Sequence, residues 1–246
     1  MSDPRTVLVT GASRGLGRAI ALRQAAAGDR VVIGFRRRED QARAVLDEIE
    51  AAGGHGLLAR FDLRDAASVT ASLDALRARC GPITALVNNA AVPDEGMFAM
   101  IPAERVDEVL EVGLQGALRC TRALARDMLV VGGGAIVNIS SVITRRGQPG
   151  QVAYATSKGA IEAFTRALAI EVGPKQVRVN AVIAGVFDAG MAQAQPRETI
   201  ERWKQAIPLA RIGRAEELAE AVAWLLSPAA SYVTGAALVV DGGLSL

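Results

Sequence analysis

The stretch TGASRGLG, residues 10–17, decides how the rest of the chain is read. It follows directly on TVLVT (6–10), a short apolar run rich in β-branched residues, and opens into apolar residues at helical spacing from Leu16 onward. Glycines recur at Gly11, Gly15 and Gly17, as needed where a chain turns sharply and its backbone closely approaches another group. Strand, glycine turn and helix in that order aim backbone N–H groups and the positive end of a helix dipole at one point, the arrangement a pyrophosphate requires. The competing reading, a tight turn with left-handed dihedrals, accounts for the glycines but not for their place between a first strand and a first helix.

The same alternation continues through all 246 residues. RVVIGF (30–35), GLLARF (56–61), TALVNN (84–89), AIVNIS (135–140), VRVNAVI (177–183) and ALVVD (237–241) read, with TVLVT, as seven strands. Each is apolar through its centre, as in a parallel sheet covered on both faces. Helical spacing marks 16–27, 39–52, 66–78, 103–129, 152–172 and 215–226 between them. Repeated strand–helix–strand units need right-handed crossovers. The expected fold is therefore α/β, a doubly wound, seven-stranded, Rossmann-like parallel sheet forming a single domain over residues 1–246. Residues 185–208 break the alternation, and so long an excursion in a compact domain reads as a substrate lid.

Composition narrows the function. A 50% hydrophobic content supplies a substantial core and excludes disorder. The formal charge of +2 is a small difference between 28 basic and 26 acidic residues without a long run of one sign, so no nucleic-acid partner is expected. Cys80 and Cys120 fall in helical segments without metal-ligand spacing and read as buried reduced thiols, and no metal site is expected. His55, the only histidine, sits in a glycine-rich loop as a surface residue. No charged start followed by an apolar run opens the chain, and charges or glycines interrupt every long apolar stretch. A cytoplasmic protein without a membrane partner is the expectation.

The second strand ends in GFRRRED. A dinucleotide with a free ribose is met there by an acidic residue, whereas a 2′-phosphate wants cationic forks. Arg36 and Arg37 occupy that place and Arg14 approaches from the glycine loop, which favours NADPH over NADH; the alternative is a solvated turn before a helix. Asp62, just past the third strand, has the chemistry to accept from an adenine amino group, although Asp62 or Asp65 also suits a helix N-cap.

YATSK, residues 154–158, places a tyrosine and a lysine four positions apart on one face of a helix. A free phenol has a pKa of about 10 and relays protons poorly at neutral pH. An ammonium roughly 4 Å away favours the phenolate by about 4 kcal/mol at an effective dielectric near 20, enough to lower that pKa by up to about 3 units. Such a tyrosine is poised for general acid–base work. Ser141, at the end of the fifth strand, is placed to hydrogen-bond the carbonyl oxygen that Tyr154 protonates; neighbouring Ser140 competes, and only one of the two can face the site.

TGASRGLG, VNNAA, the serine thirteen positions before YATSK, VRVNAV and the tail from IPLARIGRAEELAEAVAWLLSP to VTGAALVVDGG together resemble the short-chain dehydrogenase/reductase family over essentially the whole chain. The subgroup it most resembles is the bacterial 3-oxoacyl-[acyl-carrier-protein] reductases. The resemblance implies that Tyr154 donates the proton, Lys158 also binds the nicotinamide ribose, Ser141 orients the carbonyl, and Asn89 braces the strands beside the adenosine. Cofactor contacts are expected from Gly11, Ser13, Arg14, Gly15, Leu16 and Gly17 in the glycine loop, and from Arg36, Arg37, Asp62 and Leu63. Asn89, Ala90, Tyr154, Lys158, Gly185 and Phe187 complete the set. The resemblance also implies a homotetramer built on 103–129, 152–172 and the last strand, with a hetero-oligomer as the variant.

The chain departs from the family pattern at named positions. Gly113 stands where the family has an asparagine holding a water, Ala184 replaces the proline after the sixth strand, and Ala189 replaces a cofactor-contacting threonine. Of two basic carrier-docking positions, one is Gly132 and the other Lys175. The activity implied is NADPH-dependent reduction of a ketone, the 3-oxo group of a carrier-bound acyl or polyketide chain. The alternatives are NAD(P)-dependent oxidation of a small secondary alcohol and a non-catalytic cofactor-binding subunit that supports an active partner.

Overall fold

A computed structural model describes residues 4–190, 192 and 195–246. Residues 1–3 of the expected domain, and Met191, Gln193 and Ala194 of the expected lid, lie outside the described residues. The strands are β1 (Thr6–Thr10), β2 (Arg30–Phe35), β3 (His55–Arg60), β4 (Ala85–Asn88), β5 (Gly134–Ser141), β6 (Val177–Ala184) and β7 (Ala237–Val240). They pair in parallel throughout, in the order β3-β2-β1-β4-β5-β6-β7. This is the doubly wound α/β sheet that the alternation of short apolar runs and helical patterns implies.

Strand periodicity divides the core into two layers. Val7 and Val9 of β1 pack with Ile20 of helix α1 (Gly15–Ala26), Val45 of α2 (Glu39–Ala51) and Leu218 of α9 (Ala215–Leu226). Leu8 points to the opposite face, with Leu73 of α3 (Ala66–Cys80), Leu124 of α5 (Gly116–Val131) and Ala169 of α7 (Val152–Val172). Residues one apart face opposite ways along a strand, so both faces need apolar side chains and both are covered by helices. β1 lies between β2 and β4, where the strand order reverses, and a crevice therefore opens at the carboxyl ends of β1 and β4.

A buried polar ladder crosses the second layer. The Asn88 amide donates to Thr121 Oγ1 at 3.0 Å and to Asn138 Oδ1 at 2.8 Å, and the Asn138 amide donates to Thr165 Oγ1 at 2.9 Å. Asn88 and Asn138 are register partners across β4 and β5, so the ladder ties α5, two central strands and α7 into one unit.

Four features depart from the sequence expectation. The run 103–129 is α4 (Ala103–Leu110), a π-helical turn (Glu111–Gln115) and α5, not one helix, because apolar spacing survives the insertion of a single wide turn. A short helix, α6 (Ile143–Arg146), follows β5, and α8 (Arg197–Ala206) occupies part of the expected lid; α8 buries none of its residues, so it has no apolar stripe to announce it. Of the two thiols expected to be buried, Cys120 is fully enclosed and Cys80 is only half-buried. No helix among the described residues is long and apolar enough to cross a membrane.

Asn138→Ala should lower the unfolding free energy by about 2–4 kcal/mol, since it removes two buried hydrogen bonds and leaves one N–H of the Asn88 amide without its acceptor. The shift in denaturant midpoint by circular dichroism measures it.

Candidate active site

The glycine loop is shaped by close approach. Gly11 and Gly15 have φ of +66° and +59°, where an L side chain is strained, and a Cβ on Gly17 would come within 2.6 Å of Asn89 Nδ2. The loop is clamped to β4 from below. Asn89 Nδ2 donates to the carbonyls of Thr10 (2.9 Å) and Gly11 (3.3 Å), while Thr10 Oγ1 accepts from the backbone N–H groups of Asn89 (3.0 Å) and Ala90 (3.1 Å). Arg14 caps α1 without a side-chain bond and the first turn carries no acidic residue, so the positive end of α1 faces the crevice uncompensated. A diphosphate fits this cradle. Leu16 packs partly buried against the core, and Ser13 is half-exposed beside the exposed Arg14.

At the end of β2, Arg36 Nη1 lies 3.8 Å from Asp62 Oδ2, and Arg37 is exposed. Arg64, which the sequence reading passed over, donates to the same carboxylate at 2.6 Å. Its bond is the main reason that Asp62 is held at a pKa of about 2, against a smaller opposing effect of burial. Two guanidinium groups thus flank one carboxylate just beyond the ends of β2 and β3. Asp65, not Asp62, is the N-cap of α3, accepting from Ala67 and Ser68 N–H groups. Leu63 packs on the α5 helix, within 2.7 Å of where a Cβ on Gly116 would be, and its carbonyl accepts from Arg119.

The tyrosine, lysine and serine come together where β5 meets the start of α7. Tyr154 is 7% exposed and Lys158 is 2% exposed. The Ser141 side chain faces the Tyr154 hydroxyl and pulls its pKa downward. Ser140 points the other way: its hydroxyl donates to Glu162 Oε1 at 2.8 Å, and Thr144 donates to the same oxygen at 2.7 Å. Strand alternation has therefore given Ser141 to the crevice and Ser140 to a structural anchor beneath α7.

The lysine sits 5.6 Å from the Tyr154 ring centroid, and its ammonium donates to the Ile139 carbonyl at 2.7 Å. Its presence does not lower the tyrosine pKa as the spacing alone suggests. Burial dominates and pushes Tyr154 up to about 12; Ser141 pulls downward and the charge of Asp94 adds to the rise. Burial likewise pulls Lys158 down to about 8. Sequence spacing gives the neighbours but not the desolvation, which is the largest influence on both groups.

Gly113 lies in the π-helical turn, and a Cβ there would stand 2.5 Å from Ser157 Oγ, a buried hydroxyl with no hydrogen-bond partner among the described residues. The position is thus filled sterically from α7. Beyond β6, a Cβ on Gly185 would fall 2.5 Å from Asp241 Cα, and the Phe187 ring is buried against Gly213. Gly190 comes within 3.3 Å of the corresponding point on Gly15, so the segment after β6 crosses the glycine loop. Gly132 serves as the left-handed cap of α5, and His55 is exposed.

A family model described as Enoyl-(Acyl carrier protein) reductase matches residues 11–245. The chain belongs to the short-chain dehydrogenase/reductase family. Among short-chain dehydrogenase/reductase relatives, "Uncharacterized oxidoreductase YgfF" of Escherichia coli (strain K12) is 40% identical, the match covering 96% of this chain and 98% of that protein. The "3-oxoacyl-[acyl-carrier-protein] reductase FabG" of Pseudomonas aeruginosa is 38% identical over 98% of this chain and 97% of that protein. A crystal structure of a gluconate 5-dehydrogenase from Burkholderia cenocepacia, in complex with NADP and tartrate, superposes with a TM-score of 0.92 at 30% identity, covering 99% of this chain and 96% of that one. The protein is an oxidoreductase of this family.

In a Tyr232→Phe background Tyr154 is the sole tyrosine, and its phenolate absorbance should emerge only near pH 12. A spectrophotometric midpoint below the ordinary phenol value of about 10 would contradict the dominance of burial.

Proposed function

We propose that this short-chain oxidoreductase uses NADPH to reduce a ketone to a secondary alcohol, the ketone being the 3-oxo group of an acyl or polyketide chain held on a carrier protein. The observation that carries the reading is the Tyr154 hydroxyl, buried, faced by Ser141 and retaining its proton well above neutral pH. Ketone reduction consumes one proton at the carbonyl oxygen, so an acid that stays protonated suits that direction. When bound, the nicotinamide dinucleotide supplies the hydride.

The chain's own residues do the rest. Ser141 orients the carbonyl oxygen by hydrogen bonding, and Tyr154 gives its hydroxyl proton to that oxygen as negative charge develops there. The Lys158 ammonium, largely charged at neutral pH with a pKa of about 8, stabilises the phenolate left behind and holds the cofactor ribose. The N–H groups of the 11–17 loop take the diphosphate, with Ser13 and Arg14 at its rim. Arg36 and Arg37 take the 2′-phosphate, and Asp62, Leu63, Asn89 and Ala90 surround the adenosine. Gly185 and Phe187 border the nicotinamide end, and residues 185–208, including α8, form the lid.

An acyl substrate is supported by Met97, Phe98 and Met100, 72%, 53% and 78% exposed in the loop after β4. That loop is tied to the entrance of α7 by the Gly96 N–H bond to the Gly150 carbonyl. An apolar rim suits an alkyl chain better than a polyol. The likeness to the gluconate 5-dehydrogenase favours a second reading, oxidation of a small secondary alcohol at the same site. Exposed Val130, Val131 and Ile170 on α5 and α7, and Val239 on β7, support a homotetramer, and a cytoplasmic location belongs to the same proposal.

Tyr154→Phe should lower kcat for reduction of a β-keto thioester by about 10³-fold or more while leaving NADPH binding nearly intact; parallel loss of both contradicts the assigned role. Arg36→Ala should reduce the preference for NADPH over NADH by about 10–100-fold, the worth of one charge-assisted bond. Steady-state kinetics with both cofactors reads the change, and an unaltered ratio removes Arg36 from the 2′-phosphate site.

A further inference from the structure

The helix that carries Tyr154 has no local cap. Gln151, at its N-cap position, makes no side-chain bond, and the first turn holds no acidic residue. The cap comes instead from Asp94, about sixty positions away in the loop between β4 and α4. Asp94 is fully buried; its Oδ2 accepts from the Ala153 N–H at 2.9 Å and its Oδ1 from the Tyr154 N–H at 3.1 Å. These are the second and third residues of α7, whose N–H groups an N-cap side chain ordinarily satisfies. The carboxylate itself is held in place by its loop. Arg105 of α4 donates to the Pro93 carbonyl, and Gly96 donates to the Gly150 carbonyl at 3.2 Å.

We propose that Asp94 is a positioning residue for Tyr154: it fixes the height of the tyrosine at the mouth of the crevice, and its negative charge keeps the hydroxyl in the proton-bearing form that ketone reduction uses. The second half of this statement rests on the proposed reductase reading; the first does not. The physical reason is a balance at a helix terminus. The positive end of α7 favours a phenolate in the first turn, and a carboxylate bonded to the same two N–H groups cancels that field and opposes the phenolate.

Other charges around the tyrosine are committed elsewhere. Lys158, on the same helix, donates to Ile139. On α4, Arg105 pairs with Glu108; in the π-helical turn, Glu111 pairs with Arg119; on α6, Arg145 lies 3.6 Å from Glu162 of α7. From β5 the group meeting Tyr154 is the uncharged Ser141, and Arg178 of β6 is bonded to the carbonyls of Leu225 and Ser227. Asp94 is therefore the acidic group whose charge reaches the phenol, in line with the upward push that it exerts there.

The test uses the full-length protein and two substitutions. Asp94→Asn keeps an acceptor oxygen for one N–H but removes the charge; Asp94→Ala removes both. In the Tyr232→Phe background, Asp94→Asn should move the Tyr154 phenolate titration down by about 1 pH unit. With a β-keto thioester and NADPH, the high-pH limb of the reduction profile should fall off earlier by a similar shift. Asp94→Ala should show the same direction of shift with about 10-fold or greater loss of kcat, because the cap is gone as well. A folded Asp94→Asn protein whose titration midpoint and pH profile match the parent overturns the proposal. Should no ketone be reduced by the parent protein, the reductase reading fails while the titration still decides whether Asp94 governs the tyrosine. If Asp94→Ala does not fold, the Asp94→Asn comparison stands alone.

Discussion

A phenol and an ammonium are buried side by side in the first turns of α7, against the end of β5, and the structure around them is arranged to make that burial tolerable. An enclosed ammonium without an acceptor destabilises a fold by several kcal/mol, so Lys158 must reach a carbonyl, and it takes that of Ile139. The requirement propagates. α7 has to lie flat on β5, and it does so through the Asn138–Thr165 bond at one level and the Ser140–Glu162 bond at the next. The same strand that anchors the helix with Ser140 presents Ser141 to the tyrosine, so anchoring and presentation are two faces of one pleat.

The second half of the site obeys a different constraint, that of backbone approaching backbone. Thr10 and Asn89 close the gap between β1 and β4 with five hydrogen bonds from two short side chains. That closure leaves no room for side chains on Gly11 or Gly17 and exposes the start of α1 to whatever anion enters. The glycine loop and the tyrosine helix are thus built on separate strands of one sheet, which is how a doubly wound fold brings both to the same edge.

Much of this was legible in the sequence, and the reasons are specific. β1, β2, α7 and α9 coincide with their expected spans because each begins or ends on a glycine, a charge cluster or a sharp change of period. The site triad was legible because helix and strand periods fix which residues share a face. The π-helical turn was not, since EVGLQ keeps ordinary helical spacing and only its contact with Ser157 marks it. Asp94 and Arg64 were not, because nothing local distinguishes an acid in a loop that caps a distant helix, or an arginine two residues past an aspartate. The direction of the tyrosine's pKa was misjudged for the same reason: spacing reports distance along a helix, whereas desolvation is a property of everything packed around it.

The charges around Tyr154 suggest why the departures from the family pattern are compatible with an intact site. One cation, Lys158, and one anion, Asp94, bracket a single phenol, and a buried hydroxyl at Ser157 fills the space beside Gly113 where a larger side chain would start. Enclosure is the largest influence on the protonation state of the phenol, and the Asp94 charge pushes in the same direction.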